Sequence, residues 1–239
     1  MWNLAEFGLA EMVQLGGELR RLGARGGSME ELAQSVSDHI YESLVQDNGH
    51  PALALVRFFK THAYEGLPSD LQACVEGMLR PEAPWPDLRC LTLLGTRGEH
   101  PDWNSRQRSR GHQAIPLRNA DFVSRAPMIA ALTRQFGLAA AEVVSPRPEL
   151  FLELAQGTFN VFHVPDAVGS PVVPAQGDFV IPYGVRSVLG VGGAVPTGEI
   201  FAVIMFSKVA VPPSVAPLFK PLALNLRAAV LQAEKRTFA

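Results

Sequence analysis

Only two cysteines, Cys74 and Cys90, occur in 239 residues. That is too few for a disulfide framework and fits a reducing compartment. No CxxC pair is present and the six histidines show no HxxxH spacing, which argues against a structural zinc site. No apolar run approaches the roughly 20 residues that a membrane-spanning helix needs. Neither sign of charge dominates: 21 basic side chains face 23 acidic ones, for a net charge of −2. A balance of that kind gives no general pull toward nucleic acid or an anionic membrane. The opening residues, MWNLAEFGLAEM, carry acids where a secretory signal needs bases, so a cytoplasmic protein is expected. No GxSxG elbow, Walker loop or kinase loop appears. Gly190, Gly192 and Gly193 fall inside an expected strand with no helix behind it, which removes a dinucleotide-binding loop.

What is present is core material. Hydrophobic residues make up 47% of the chain and charged ones 18%, enough for a packed interior and incompatible with disorder. Met12, Leu15, Leu19 and Leu22 share one helical stripe, and the GARGG segment after them breaks that helix. Ser28 and Glu31 form a capping-box pattern for a second helix running to about Val45. Residues 52–60 (ALALVRFFK) and 89–96 (RCLTLLGT) read as strands, with a short helix between them from Ser69 to about Arg80. Residues 97–134 hold seven Arg against three acids, a local charge of +4. Residues 126–136 and 147–157 read as helices, and 159–164 (FNVFHV) as a strand. Residues 187–195 and 200–207 flank Pro196-Thr197-Gly198-Glu199, a hairpin pattern. Ser214 is placed to cap a last helix with Val215, Leu218, Leu222 and Leu226 on one stripe, kinked at Pro221. The expected class is α+β, a central antiparallel sheet flanked by helices, with helical extensions at both ends.

The two hairpin segments, GVRSVLG from Gly184 and GEIFAVI from Gly198, resemble the last two sheet strands of a GAF domain. Six stretches in order, at residues 56–61, 90–94, 103–106, 111–117, 160–165 and 179–189, resemble more specifically a GAF-related sensory region found ahead of bacterial histidine kinases. The resemblance spans roughly residues 5–232. It implies N-terminal helices for dimerisation and signalling over residues 1–50, a sensory domain over 51–212 and a C-terminal helix over 213–239. It implies further a non-enzymatic module that binds a small ligand beside the sheet, signals through its terminal helices as a homodimer, and partners a histidine kinase or another signalling protein. No kinase motif follows Ala239, so the output module is expected on another polypeptide or not at all.

The residues offered for a ligand are Trp103, Arg106, His112, Phe162, His163, Tyr183 and Arg186. An indole, guanidiniums and an imidazole between 103 and 112 can hold a planar or anionic molecule, though a solvated basic loop anchored by Trp103 would look the same. His163, in an apolar alternating run, could ligate haem iron or hydrogen-bond a loop carbonyl. Tyr183 and Arg186 could face a cavity or pack in a turn. No catalytic residue and no metal ligand is assigned, and the cofactor is left open. Two alternatives remain. One is a haem or redox sensor, or a thiol-dependent GAF-like enzyme using Cys74 or Cys90, although both thiols sit in apolar surroundings. The other is an assembly module with no ligand.

Overall fold

The computed structural model describes residues 1–109, 111–146, 160–233 and 237–238. Six strands form one antiparallel sheet: β3 (Leu53–Ala63), β4 (Arg89–Gly98), β5 (Ala114–Pro116), β6 (Asn160–Val164), β7 (Ser187–Ala194) and β8 (Ile200–Ser207), in the spatial order 5-4-3-8-7-6. Two short strands, β1 (Trp2–Asn3) and β2 (Leu44–Val45), pair in parallel beside it. This is the GAF-like α+β fold. Every residue of β7 and β8 is buried, because helices or loops cover both faces of the sheet. That explains why these strands read as continuous apolar runs without alternation.

One face carries the long helices α1 (Leu9–Gly23), α2 (Met29–Ser43) and α7 (Lys220–Ala233). The Ser28 capping box forms as the sequence suggests: Ser28 Oγ accepts from the Glu31 amide at 3.1 Å, and the Glu31 carboxylate accepts from the Ser28 amide at 2.6 Å. The α1 stripe of Met12, Leu15, Leu19 and Leu22 packs with Phe219, Leu222, Leu226 and Val230 in one core on this face. Those side chains are therefore buried within the chain itself, one stripe against the other. α1 and α7 approach so closely that a Cβ at Gly23 would lie 2.5 Å from the Ala229 Cα. The last helix begins later than its sequence pattern indicates. A 3₁₀ turn over Ala216–Phe219 precedes it, and Pro221 falls in its first turn, where a missing amide donor costs nothing and no kink follows.

The other face carries α4 (Ala120–Arg125), α5 (Pro127–Gln135) and α6 (Ala140–Val144), and α3 (Ser69–Leu79) packs at the β5 edge. The expected helix over 147–157 lies outside the described residues. No helix among the described residues is long and apolar enough to cross a membrane.

Near the end of β3, His62 lies opposite Cys90 and 5.5 Å from the Phe238 ring. Both its ring nitrogens are sealed from solvent without a hydrogen-bond partner. Burial, helped by the Lys60 charge, lowers its pKa to about 3. Above pH 6.5 the imidazole is neutral whether the chain is folded or not. Below that the unfolded chain takes a proton that the folded one refuses until about pH 3, so stability falls across this window by up to about 1.4 kcal/mol per pH unit. His62→Phe is expected to flatten the thermal-melting profile between pH 6.5 and 4. A slope equal to that of the wild type would assign the acid limb to other groups.

Candidate functional site

Alternation along β3 sends Leu55, Arg57, Phe59 and Thr61 to the face opposite the long helices, and β8 adds Ile200, Ala202, Ile204 and Phe206. α5 does not close down on them. Between the sheet and Met128, Ile129, Leu132 and Thr133 lies a cavity of about 670 Å³, with Phe122, Val143, Leu117 and Phe179 on its other walls. That volume suits a small organic molecule. One end is bounded by an aromatic cluster: Trp103 lies tilted against Tyr183 at 4.6 Å and meets Phe179 edge-on at 5.6 Å, while Phe179 meets Phe206 edge-on at 5.0 Å. The π-turn over Gln176–Val180 that presents Phe179 is entered through Ala175, a non-glycine residue with φ of +58°.

Among the described residues the polar groups on the cavity wall are few and none is acidic: Arg57, His112 and Arg118, with Thr61, Thr133 and the Trp103 indole. Thr61 Oγ1 already takes the Ile200 amide at 2.9 Å and an Arg89 guanidinium hydrogen at 3.3 Å, and Thr133 donates back into its own helix, so both serve the fold. Arg57 is different. Its Nη2 donates to Ser109 Oγ at 3.1 Å, its Nε is sealed without a partner, and burial lowers its pKa to about 10. His112 also lines the cavity and is exposed to solvent. Its backbone is left-handed (φ +57°), directly after Gly111 at +73°. A non-glycine residue seldom holds that conformation, and such strain gathers at functional sites. Burial first, and then the Arg57 charge, lowers the His112 pKa below the usual imidazole range. Arg118 donates to the Met78 carbonyl at 3.1 Å and lies 5.9 Å from the Phe122 ring.

Of the seven residues offered from sequence, Trp103 and His112 line this cavity. Arg106 does not, which corrects the single pocket of Trp103, Arg106 and His112. It is buried and gives Nε to Glu30 and Nη1 to Asp70, each at 2.8 Å, tying its loop to α2 and α3. Phe162 is wholly buried on the cavity side of β6 but belongs to the packed core, beside Gly190. His163, the next residue along the strand, points to the helix face. Its amide donates to Gln135 Oε1 at 2.9 Å, so the haem reading through this side chain does not meet the cavity. Tyr183 stands behind Trp103, and Arg186 is exposed where its amide donates to the Ser207 carbonyl at 2.7 Å.

Neither cysteine lines the cavity. Cys90 is fully buried and its pKa is pushed up to about 12 by that burial. Cys74 donates to Gln113 Oε1 at 3.2 Å, and burial, with the nearby Asp70 charge, raises its pKa too. It sits one helical turn before Met78, which does reach the cavity wall. Among the described residues no three His, Cys, Asp or Glu side chains converge as a metal site.

No family model and no curated protein sequence matches the chain. Solved structures do. One is a free methionine-R-sulfoxide reductase from Neisseria meningitidis, determined in complex with its substrate, which aligns over 96% of this chain and 93% of its own with a TM-score of 0.51 and 13% identity. At that identity the likeness establishes the fold. It also corrects the inference from fold to a non-enzymatic module, because the same fold is carried by an enzyme.

Proposed function

We propose that the chain is an enzyme whose active site is the sheet-face cavity, acting by proton transfer on a small, largely apolar molecule. The observation that supports this most is the pairing, on one otherwise apolar wall, of an incompletely partnered guanidinium with an imidazole held in strained backbone. An imidazole whose pKa lies below 6.5 is neutral at pH 7 and can take a proton, and the neighbouring positive charge favours an electron-rich oxygen close by. The test is proton exchange of phenylpyruvate in heavy water, followed by NMR with the full chain. Turnover is expected to fall on the acid side with an apparent pKa under 6.5, and to drop about 100-fold or more in His112→Gln. Exchange unchanged by that substitution would overturn the assignment.

A second reading, thiol-dependent reduction of a small sulfoxide, is favoured by the likeness to the sulfoxide reductase. The raised pKa values of both thiols weigh against it, since the thiolate is the nucleophile. Reduction of methionine-R-sulfoxide by the chain with dithiothreitol, abolished in Cys74→Ser or Cys90→Ser, would replace the first reading. A cytoplasmic location and a histidine-kinase partner enter here on the sequence resemblance alone.

A further inference from the structure

The geometry points to a carboxylate subsite at Arg57, so that the molecule entering the cavity is an acid with an apolar body. This rests on the reading of the cavity as the site and adds the chemical class of what it takes. Among the described residues the lining carries two guanidiniums and an imidazole and no Asp or Glu. Two other arginines nearby have counter-ions, whereas Arg118, at the cavity rim, has only the Met78 carbonyl among the described residues. Arg106, buried beneath the same loop, holds two carboxylates at 2.8 Å, and Arg97 has Asp38 at 3.7 Å and Glu42 at 3.6 Å. Arg57 has no ion pair among the described residues, only the neutral Ser109 hydroxyl.

Its position makes this arrangement costly unless something else supplies the charge. Arg57 stands mid-strand between Leu55 and Phe59, at the centre of the sheet, and its side chain opens into the cavity. Arg57 is half-buried, and a charge partly withdrawn from water is stabilised by a counter-charge, which a carboxylate supplies best to a guanidinium fork. The rest of the ligand is specified by the walls. Ala202, Ile204 and Phe206 below and Met128, Ile129 and Leu132 above offer no hydrogen bonds from their side chains. One anionic group on a hydrocarbon or aromatic body matches both ends.

Isothermal titration of the full chain with decanoate, 1-decanol and decylamine tests this against Arg57→Met, Arg57→Lys and the cavity-filling Ala202→Trp. Decanoate is expected to bind the wild type, to lose about 30-fold or more in Arg57→Met, and to recover part of that in Arg57→Lys. Decanol is expected to bind more weakly and to be indifferent to Arg57→Met, decylamine to be rejected, and Ala202→Trp to lose every ligand. Decanoate and decanol binding the wild type equally, or decanoate binding unchanged in Arg57→Met, would overturn the carboxylate subsite while leaving the cavity as the site. Binding of none of the probes, or binding that survives Ala202→Trp, would overturn both.

Discussion

Gly95→Ala is expected to lower the melting temperature by about 6–12 °C, the effect of a cost of about 3 kcal/mol or more on a chain of this length. The reason is the seat of α2 on the sheet. A Cβ at Gly95 would lie 2.3 Å from the carbonyl carbon and oxygen of Ala33 and 2.6 Å from the Gln34 amide nitrogen. These are backbone atoms of a helix, with no flexible side chain to swing aside. Around this contact Gln34 clamps β4, its Nε2 donating to the Thr96 carbonyl at 2.9 Å and its Oε1 accepting the Thr96 amide at 3.3 Å. Relief of the clash would lift α2, break that clamp and pull on Glu30, which holds Arg106. Gly77→Ala is the comparison. Gly77 sits exposed within α3 with nothing inside 4 Å of the added methyl, so the same change should stabilise by up to about 1 kcal/mol. Equal melting temperatures for Gly95→Ala and the wild type would show that α2 can move away without loss.

The contrast between these glycines marks where sequence reading works. The Ser28–Glu31 cap and the hairpin around Pro196–Glu199 are local chemistry: their partners lie three to six residues apart and name each other. The helical stripes of α1 and α7 are also legible, though what they pack against is not, since a stripe fits a neighbouring helix of the same chain or of a second copy equally well. Gly95 gives no such signal, because its constraint comes from Ala33, on another element. The cover of the cavity is partly hidden. α5 is legible over residues 126–136, whereas α4 and α6, of 6 and 5 residues, are too short for helical periodicity to stand out.

The site itself was half legible for related reasons. Trp103 and His112 are legible because indole and imidazole stand out in a basic loop. Arg106 looks like a ligand residue in sequence because its counter-ions are 76 and 36 residues away and invisible locally. Arg57 is hard to see inside VRFFK, although a charge flanked by apolar residues mid-strand is a pattern that often marks a functional position. The resemblance points to sensory proteins, whereas the fold extends to a reductase.

Arg57→Met should, in the absence of ligand, make the protein more stable, raising the melting temperature by about 2–10 °C. An unpaired guanidinium in an apolar wall keeps its desolvation cost and gains little from one hydroxyl, as its lowered pKa records. A methionine of similar length fills the same space with no charge to desolvate, and such replacements of buried ionic groups commonly gain about 1–4 kcal/mol. The loss of the bond to Ser109 is the offset, worth about 1 kcal/mol, and the buried hydroxyl then needs a new partner. Decanoate should reverse the order. The wild type gains stability with the logarithm of ligand concentration above its dissociation constant, while Arg57→Met gains almost nothing. Two melting series crossing as the acid is added would be the mark of a charge kept for function against the interest of stability. A ligand-free Arg57→Met that melts lower than the wild type would mean that the guanidinium already has its counter-charge inside the chain, and that its role is to hold the fold together.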